Sequence, residues 1–231
     1  MTLQTFQGAG ALYQIGADGN PIFRGTCFSF RKPHIFLTAA HCVSDLNPVD
    51  LMISSPFAIG GRMWSATGIR RHRSADLAVV EVEKTGTAGV RPFYSLSVNP
   101  QLGDGVAAIG YPDDVADSGE RDQPGRYFRS HIQRFCRHRS AYGYEYHALE
   151  LGMGSPAGLS GGPVFMATEA KHLVGVVCEN FESSTYLSSI EETDSDGKVY
   201  REKVRNVINY ATCVCLPQYE RWLSEHAAPE F

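Results

Sequence analysis

No apolar run in this chain approaches the roughly 18 residues that a membrane-spanning helix requires. No charge sign dominates either. Twenty-one Lys and Arg stand against 25 Asp and Glu, for a formal net charge of −4, so there is no general attraction for nucleic acid. Internal repeats and low-complexity tracts are absent, which excludes solenoid and collagen-like architectures. The first residues, MTLQTFQGAGALYQIG, carry neither a basic stretch nor a long apolar core. They do not read as a secretory signal, and the expected location is cytoplasmic, away from membranes. Helical periodicity is almost missing. Its best instance is LPQYERWLSEHAA (216–228), where Tyr219, Trp222, Leu223 and His226 fall on one face and Pro217 suits the first turn.

What is present is a series of short β-rich runs separated by glycine, proline or polar breaks. The 23 glycines and 12 prolines imply many turns. The runs 21–30, 34–42, 50–55, 62–69 and 76–82 form one set. A linker, KTGTAGVRP (84–92), separates it from a second set at 104–111, 125–136, 143–151, 162–167, 172–179 and 207–216. With 231 residues and ordinary apolar and charged fractions, the chain can build one large or two small β units. The spacing predicts paired antiparallel barrels or a sandwich, divided into residues 1–90 and 91–231. An acidic and then mixed-charge stretch, 179–203, reads as a long loop or hairpin that carries specificity or regulation, or as a plain solvated insertion. The Arg- and His-rich stretch 121–139 reads first as a solvated strand face, then as a surface for an acidic partner, and least as a nucleic-acid site.

Three short stretches carry chemistry. LTAAHC (37–42) puts His41 among small residues at the end of a strand. SADLAVVEV (74–82) puts Asp76 at the mouth of an apolar strand. GLSGGPVF (158–165) sets Ser160 among three glycines. A serine hydroxyl attacks carbonyls only when a base takes its proton, and histidine is the natural base near neutral pH. A buried carboxylate fixes the imidazole tautomer, and glycines let backbone N–H groups of Gly158 and Ser160 turn toward a developing oxyanion.

TAAHC, DLAVV and GxSGGP, in that order, resemble the chymotrypsin/trypsin-like serine protease family. AIGYP (108–112) looks like the entry strand of the second barrel in its compact bacterial members. The resemblance covers about residues 10–225. It implies an all-β, chymotrypsin-like fold of two antiparallel six-stranded barrels with a C-terminal α-helix. It also implies hydrolysis of peptide bonds through an acyl-enzyme, with Ser160 as nucleophile, His41 as general base then acid, and Asp76 orienting His41. No cofactor or metal is expected. Two features depart from the secreted digestive members. Leu159 stands where they carry an aspartate, and there is no Ile-Val-Gly-Gly segment, so activation by an inserted N-terminal amine is not expected. The loop must then be ordered constitutively, or by a substrate, a regulatory protein partner or a neighbouring domain.

The resemblance also suggests the substrate groove. Gly154 lies where trypsin-type enzymes bind a basic side chain through aspartate, so simple basic specificity is not supported. Cys178, Glu179 and Asn180 would line the groove and pair with substrate backbone. Glu179 could favour a basic side chain nearby. Cys27 and Cys42 resemble the family's disulfide across the histidine loop. The absence of an export signal favours thiols there and at Cys136, Cys178, Cys213 and Cys215. The expected function is a regulated intracellular serine endopeptidase acting on proteins or peptides. The alternatives are a catalytically inactive binding module of the same fold, or an esterase-like acyl hydrolase.

Overall fold

The computed structural model describes residues 7–55, 62–87, 89–96, 99–113, 125–168, 172–194 and 196–227. Residues 1–6, residues 121–124 of the Arg- and His-rich stretch, Ala88 of the linker, Ser195 of the mixed-charge stretch and Ala228 at the expected helix end lie outside them. Six strands form the first half: β1 (Ala9–Ile15), β2 (Pro21–Phe30), β3 (Lys32–Thr38), β4 (Leu51–Ser55), β5 (Arg62–Arg71) and β6 (Ala78–Val82). They close into an antiparallel barrel in the order β1-β2-β3-β6-β5-β4. The period-2 pattern is plain in β4, where Leu51, Ile53 and Ser55 point inward.

The second half contains β7 (Ser95–Leu96), β8 (Gly105–Gly110), β9 (Arg126–Arg139), β10 (Glu145–Leu151), β11 (Pro163–Met166), β12 (His172–Thr193) and β13 (Val199–Cys215). Their order is β11-β8-β9-β10-β13-β12-β7, and β11 also pairs with β12. That pairing closes a six-stranded ring, with β7 lying parallel along the start of β12. The architecture is the expected chymotrypsin-like one: a mostly β chain with one short C-terminal helix. Among the described residues no helix is long and apolar enough to cross a membrane.

The halves share a core. Phe28 of β2 meets Phe93 edge-on at 5.6 Å, Phe93 meets Phe165 of β11 at 5.9 Å, and Phe165 meets Tyr127 of β9 at 6.4 Å. This aromatic chain crosses the seam, so burial in one half depends on the other.

Four local features differ from the sequence reading. The segment 179–203 is a hairpin, but its strands belong to β12 and β13, which run on beyond the ring as one long ribbon. His41 does not end a strand; it sits in a 3-10 turn, Ala40–Val43. Strand β1 is not anticipated, because AGALYQI mixes small and polar residues. The helix is shorter than its periodicity suggests. Leu216–Tyr219 is 3-10, and only α1 (Glu220–His226) is α-helical. Its aromatic face still docks as expected: Tyr219 and Trp222 both meet His72 edge-on, at 5.1 and 5.2 Å.

The Arg- and His-rich stretch is largely β9, whose charges face outward while Ser130 and Ile132 point in. Arg134 pairs with Glu150, Arg137 with Glu145 and His138 with Glu179. These three side chains are paired within the chain, on an outward strand face.

Truncating the central ring of the seam should be costly. Phe93→Ala is expected to lower unfolding free energy by about 3–5 kcal/mol, measured by urea denaturation.

Candidate active site

His41 and Asp76 are joined twice. One Asp76 carboxylate oxygen, Oδ1, accepts the His41 backbone N–H at 2.8 Å. The other, Oδ2, lies 2.7 Å from His41 Nδ1. Asp76 is fully buried. Burial of the imidazole works against its charged form. That is the largest single effect, but the Asp76 hydrogen bond, Cys42 and the Asp76 charge together outweigh it, and His41 is raised to about 10. Both turns are braced. Arg71 of β5 donates to the carbonyls of Val43 and Leu46, closing the far end of the His41 turn. Behind Asp76, His72 Nδ1 accepts the N–H groups of Ser74 and Ala75. Burial, and then His226, lowers the His72 pKa, which keeps that nitrogen an acceptor. The C-terminal helix therefore supports the carboxylate through His72.

The loop around Ser160 is set by where its carbonyls go. Ala157 O accepts the Asp113 N–H, Gly158 O accepts the Thr26 hydroxyl, Leu159 O accepts the Gly162 N–H, and Ser160 O accepts the Thr26 N–H. Four successive carbonyls are thus committed. Among the described residues, the N–H groups of Gly158 and Ser160 have no hydrogen-bond partner. Gly158 and Gly161 have φ values of +86° and +87°, where a side chain strains the backbone. At Gly161 a Cβ would also fall 1.9 Å from Thr26 O. Leu159 is fully buried and packs with Val106, Ala108, Ile132, Val164 and Val174. Its Cδ1 lies only 2.5 Å from where a Gly110 Cβ would be. An apolar anchor under the loop thus occupies the position that holds a charged one in the secreted digestive members.

Ser160 lies beside the His41 turn, since its carbonyl also faces Cys42 Sγ at 3.7 Å. Its hydroxyl donates to Cys178 O at 2.7 Å, and among the described residues no hydrogen bond joins it to His41. The His41 ring is covered by Tyr142, parallel within 4° at a centroid distance of 4.3 Å. Tyr142 sits in the turn between β9 and β10 and is itself well exposed. That turn is tied down by Glu179, whose carboxylate bonds the His138 ring and the Ala141 N–H. The base is therefore shielded, and the nucleophile is turned away from it.

The groove residues divide. Cys178 offers only its backbone. Its side chain is buried and its thiol donates to Asp76 O and Val176 O. Glu179 spends its carboxylate on the β9–β10 turn and so is not a free partner for a basic side chain. Gly154 and Asn180 do come together. Asn180 Oδ1 accepts the Ser155 N–H and lies 3.8 Å from where a Gly154 Cβ would be. Sequence reading misses their third member, Asn209, whose Oδ1 accepts from Asn180 Nδ2 at 3.0 Å. It is brought in by the return strand of the ribbon, which no short motif signals. Two amide side chains, Asn180 and Asn209, thus stand beside Gly154. All six cysteines are thiols. Among the described residues no cluster of three or more His, Cys, Asp or Glu side chains is placed to hold a metal.

This constellation, at the junction of two six-stranded rings, defines a chymotrypsin-like peptidase fold. A family model for the trypsin-like peptidase domain matches residues 25–176, and the chain belongs to that family. Comparison with curated protein sequences gives no match. Among solved structures, the MamO protease domain from Magnetospirillum magneticum, apo form, is similar at 15% identity and TM-score 0.64, covering 96% of this chain and 99% of that one. The inactive form of Rv3671c from M. tuberculosis H37Rv, a serine-to-alanine mutant, is similar at 16% and 0.62, covering 98% and 90%. The HtrA-type protease AlgW with decapeptide is similar at 15% and 0.63, covering 96% and 66%. These likenesses concern the fold.

Thr26→Val keeps the shape of the side chain but strips Gly158 O and the Tyr111 N–H of their buried partner. The expected cost is about 2–4 kcal/mol by urea denaturation. Thr26→Ser should recover most of it.

Proposed function

We propose that the chain is a serine endopeptidase, with Ser160 as nucleophile, His41 as base and then acid, Asp76 holding the imidazole, and the N–H groups of Gly158 and Ser160 receiving the oxyanion. The observation that carries this reading is the combination of a buried Asp76 joined twice to His41 with a loop whose carbonyls are all tied away and whose two amides are left open. In the first step Ser160 Oγ attacks the substrate carbonyl while its proton passes to His41 Nε2. The Nδ1 hydrogen stays with His41, held by Asp76. The tetrahedral oxygen gains two N–H donors that need no rearrangement of their loop. His41 then gives its proton to the departing amine, and water repeats the sequence to release the acid. Family membership implies peptide or protein substrates. The uncharged residues Gly154, Asn180 and Asn209, brought together beside the groove, favour an uncharged side chain before the scissile bond.

The reading includes regulation. Ser160 must leave Cys178 O, and Tyr142 must leave the His41 ring, before substrate can react. A partner or neighbouring domain that moves the β9–β10 turn would do both. Six thiols in a folded chain support an intracellular setting. The turned-away hydroxyl equally suits a catalytically inactive binding module, so the decisive measurement is covalent labelling of Ser160 by a fluorophosphonate.

Labelling is expected in the native chain and absent in Ser160→Ala. Its rate should climb with pH into the alkaline range, because only neutral imidazole can accept the serine proton and Asp76 raises His41. No labelling at any pH, with or without added partners, means the inactive module. Separately, Tyr142→Ala should speed labelling by several-fold, read from the same time courses. An unchanged rate would mean that the stacked ring does not limit access.

A further inference from the structure

The ribbon formed by β12 and β13 is not absorbed by the chemistry above. Beyond the ring, among the described residues, its strands pair only with each other, from Phe181↔Tyr210 to Thr193↔Val199. A two-stranded ribbon leaves two open edges, and the two differ in where they begin. Inside the ring, the β12 edge opposite β13 is occupied by the nucleophile loop and β11. The Val177 N–H donates to Gly162 O, the Gly161 N–H donates to Val177 O, and Ser160 Oγ donates to Cys178 O. From Asn180 outward no strand lies on that edge among the described residues. An unpaired β edge therefore starts at the nucleophile and runs away from it.

That edge is interrupted once. The register with β13 shifts between Tyr186 and Ser188, leaving Leu187 as an extra residue. A bulge of this kind bends a strand and ends regular pairing on its open side. The regular stretch is Asn180–Tyr186, about 24 Å at ~3.4 Å per residue. Both faces carry exposed apolar side chains. Phe181 and Ser183 share a face with Tyr210 and Ile208, their cross-strand partners, and Phe181 and Ile208 are 44% and 48% exposed. The opposite face carries Glu182 and Asn209 near the ring, then Val207 and Tyr186, 43% and 63% exposed, further out.

We propose that Asn180–Tyr186 is an extended recognition strand for the substrate polypeptide, which adds to the ribbon as a further antiparallel strand over about seven residues N-terminal to the scissile bond. This rests on the peptidase reading and goes beyond it by extending recognition past the groove residues 178–180. The antiparallel direction follows β11, which pairs antiparallel with β12 on this same edge nearer the ring, whereas parallel β7 pairs with His172 and Leu173 at the strand's start. Alternate residues of such an edge present N–H and C=O outward, so recognition draws first on backbone. Side chains of the added strand fall alternately beside Phe181 and Ile208 on one face and beside Glu182, Val207 and Tyr186 on the other. The favoured ligand is an unfolded segment rich in apolar residues. Leu187 sets its outer limit.

Two measurements test this. In the first, Ser160→Ala protein is mixed with β-casein, an unfolded polypeptide, and backbone hydrogen exchange is followed. Protection is expected across Asn180–Tyr186 and not across Ser188–Thr193. Absent protection at Asn180–Tyr186 overturns the proposal. So does protection that arises without casein and grows with protein concentration, which would mean that the edge pairs with a second copy. In the second, cleavage of peptides sharing one casein-derived site is compared as the upstream side lengthens from about two to about twelve residues. The expected rise in kcat/KM is about tenfold up to about nine residues, which span Cys178–Tyr186, the worth of one or two net backbone hydrogen bonds, with none beyond. A flat profile with Ser160-dependent cleavage overturns the strand and leaves the peptidase reading intact. If no Ser160-dependent cleavage occurs, that reading fails, and the exchange measurement alone still decides whether the edge binds polypeptide.

Discussion

Thr26 is the residue on which the two halves of the site depend. It lies on β2 of the first barrel and is fully buried. Its hydroxyl donates to Gly158 O and accepts the Tyr111 N–H, while its own N–H donates to Ser160 O and its carbonyl accepts the Thr38 hydroxyl. Every polar group of one residue is thus used, and two of the bonds go to the loop that carries the serine. His41 and Asp76 come from the first barrel and Ser160 from the second ring. The weaker thiol contacts of Cys42 with Ser160 O and of Cys178 with Asp76 O add to the distance that Thr26 fixes between them. The closeness of Gly161 to the Thr26 carbonyl is the steric side of the Thr26 contact, because any side chain there would push the loop off the barrel.

The covering of His41 and the ribbon share an origin in the sequence. Cys178 holds the Ser160 hydroxyl, Glu179 holds the turn that carries Tyr142, and Asn180 begins the open edge. Three consecutive residues therefore touch the nucleophile, the cover of the base and the first position of the ribbon. A chain laid along β12 meets all three in turn. On the proposed reading, substrate pairing and release of the site would be linked by adjacency alone, with no need for a signal to travel through the core.

His41, Asp76 and Ser160 are legible because each sits in a short contiguous pattern whose neighbours are chosen by the backbone: small residues at 39–40, an apolar run after 76, glycines around 160. The barrels are legible from period-2 strands such as β4. Residues that act through space are not. Thr26 looks like any strand threonine until β2 is laid against the Ser160 loop. Tyr142 reads as an exposed turn residue, and Asn209 reaches Asn180 only after some thirty residues of ribbon return on themselves. The ribbon's strands are hidden by their content. The Ser- and Glu-rich segment lacks clean alternation, and the extra residue at Leu187 shifts what alternation there is. His41 reads as a strand end because LTAAHC continues an apolar run. The chain instead leaves β3 at Thr38, which lets the His41 N–H face the Asp76 carboxylate.

Leu159 has a consequence for how such a unit can be used. Loops ordered by a charged N-terminal amine tie catalysis to a free chain end, so any polypeptide joined ahead of them keeps them slack. Here the order comes from a leucine sunk among Val106, Ile132 and Val174, all within the second ring. Among the described residues, the loop draws on nothing upstream of β1. The fold is in that sense portable: it can sit within a longer polypeptide, with other domains on either flank, and keep its nucleophile loop in shape.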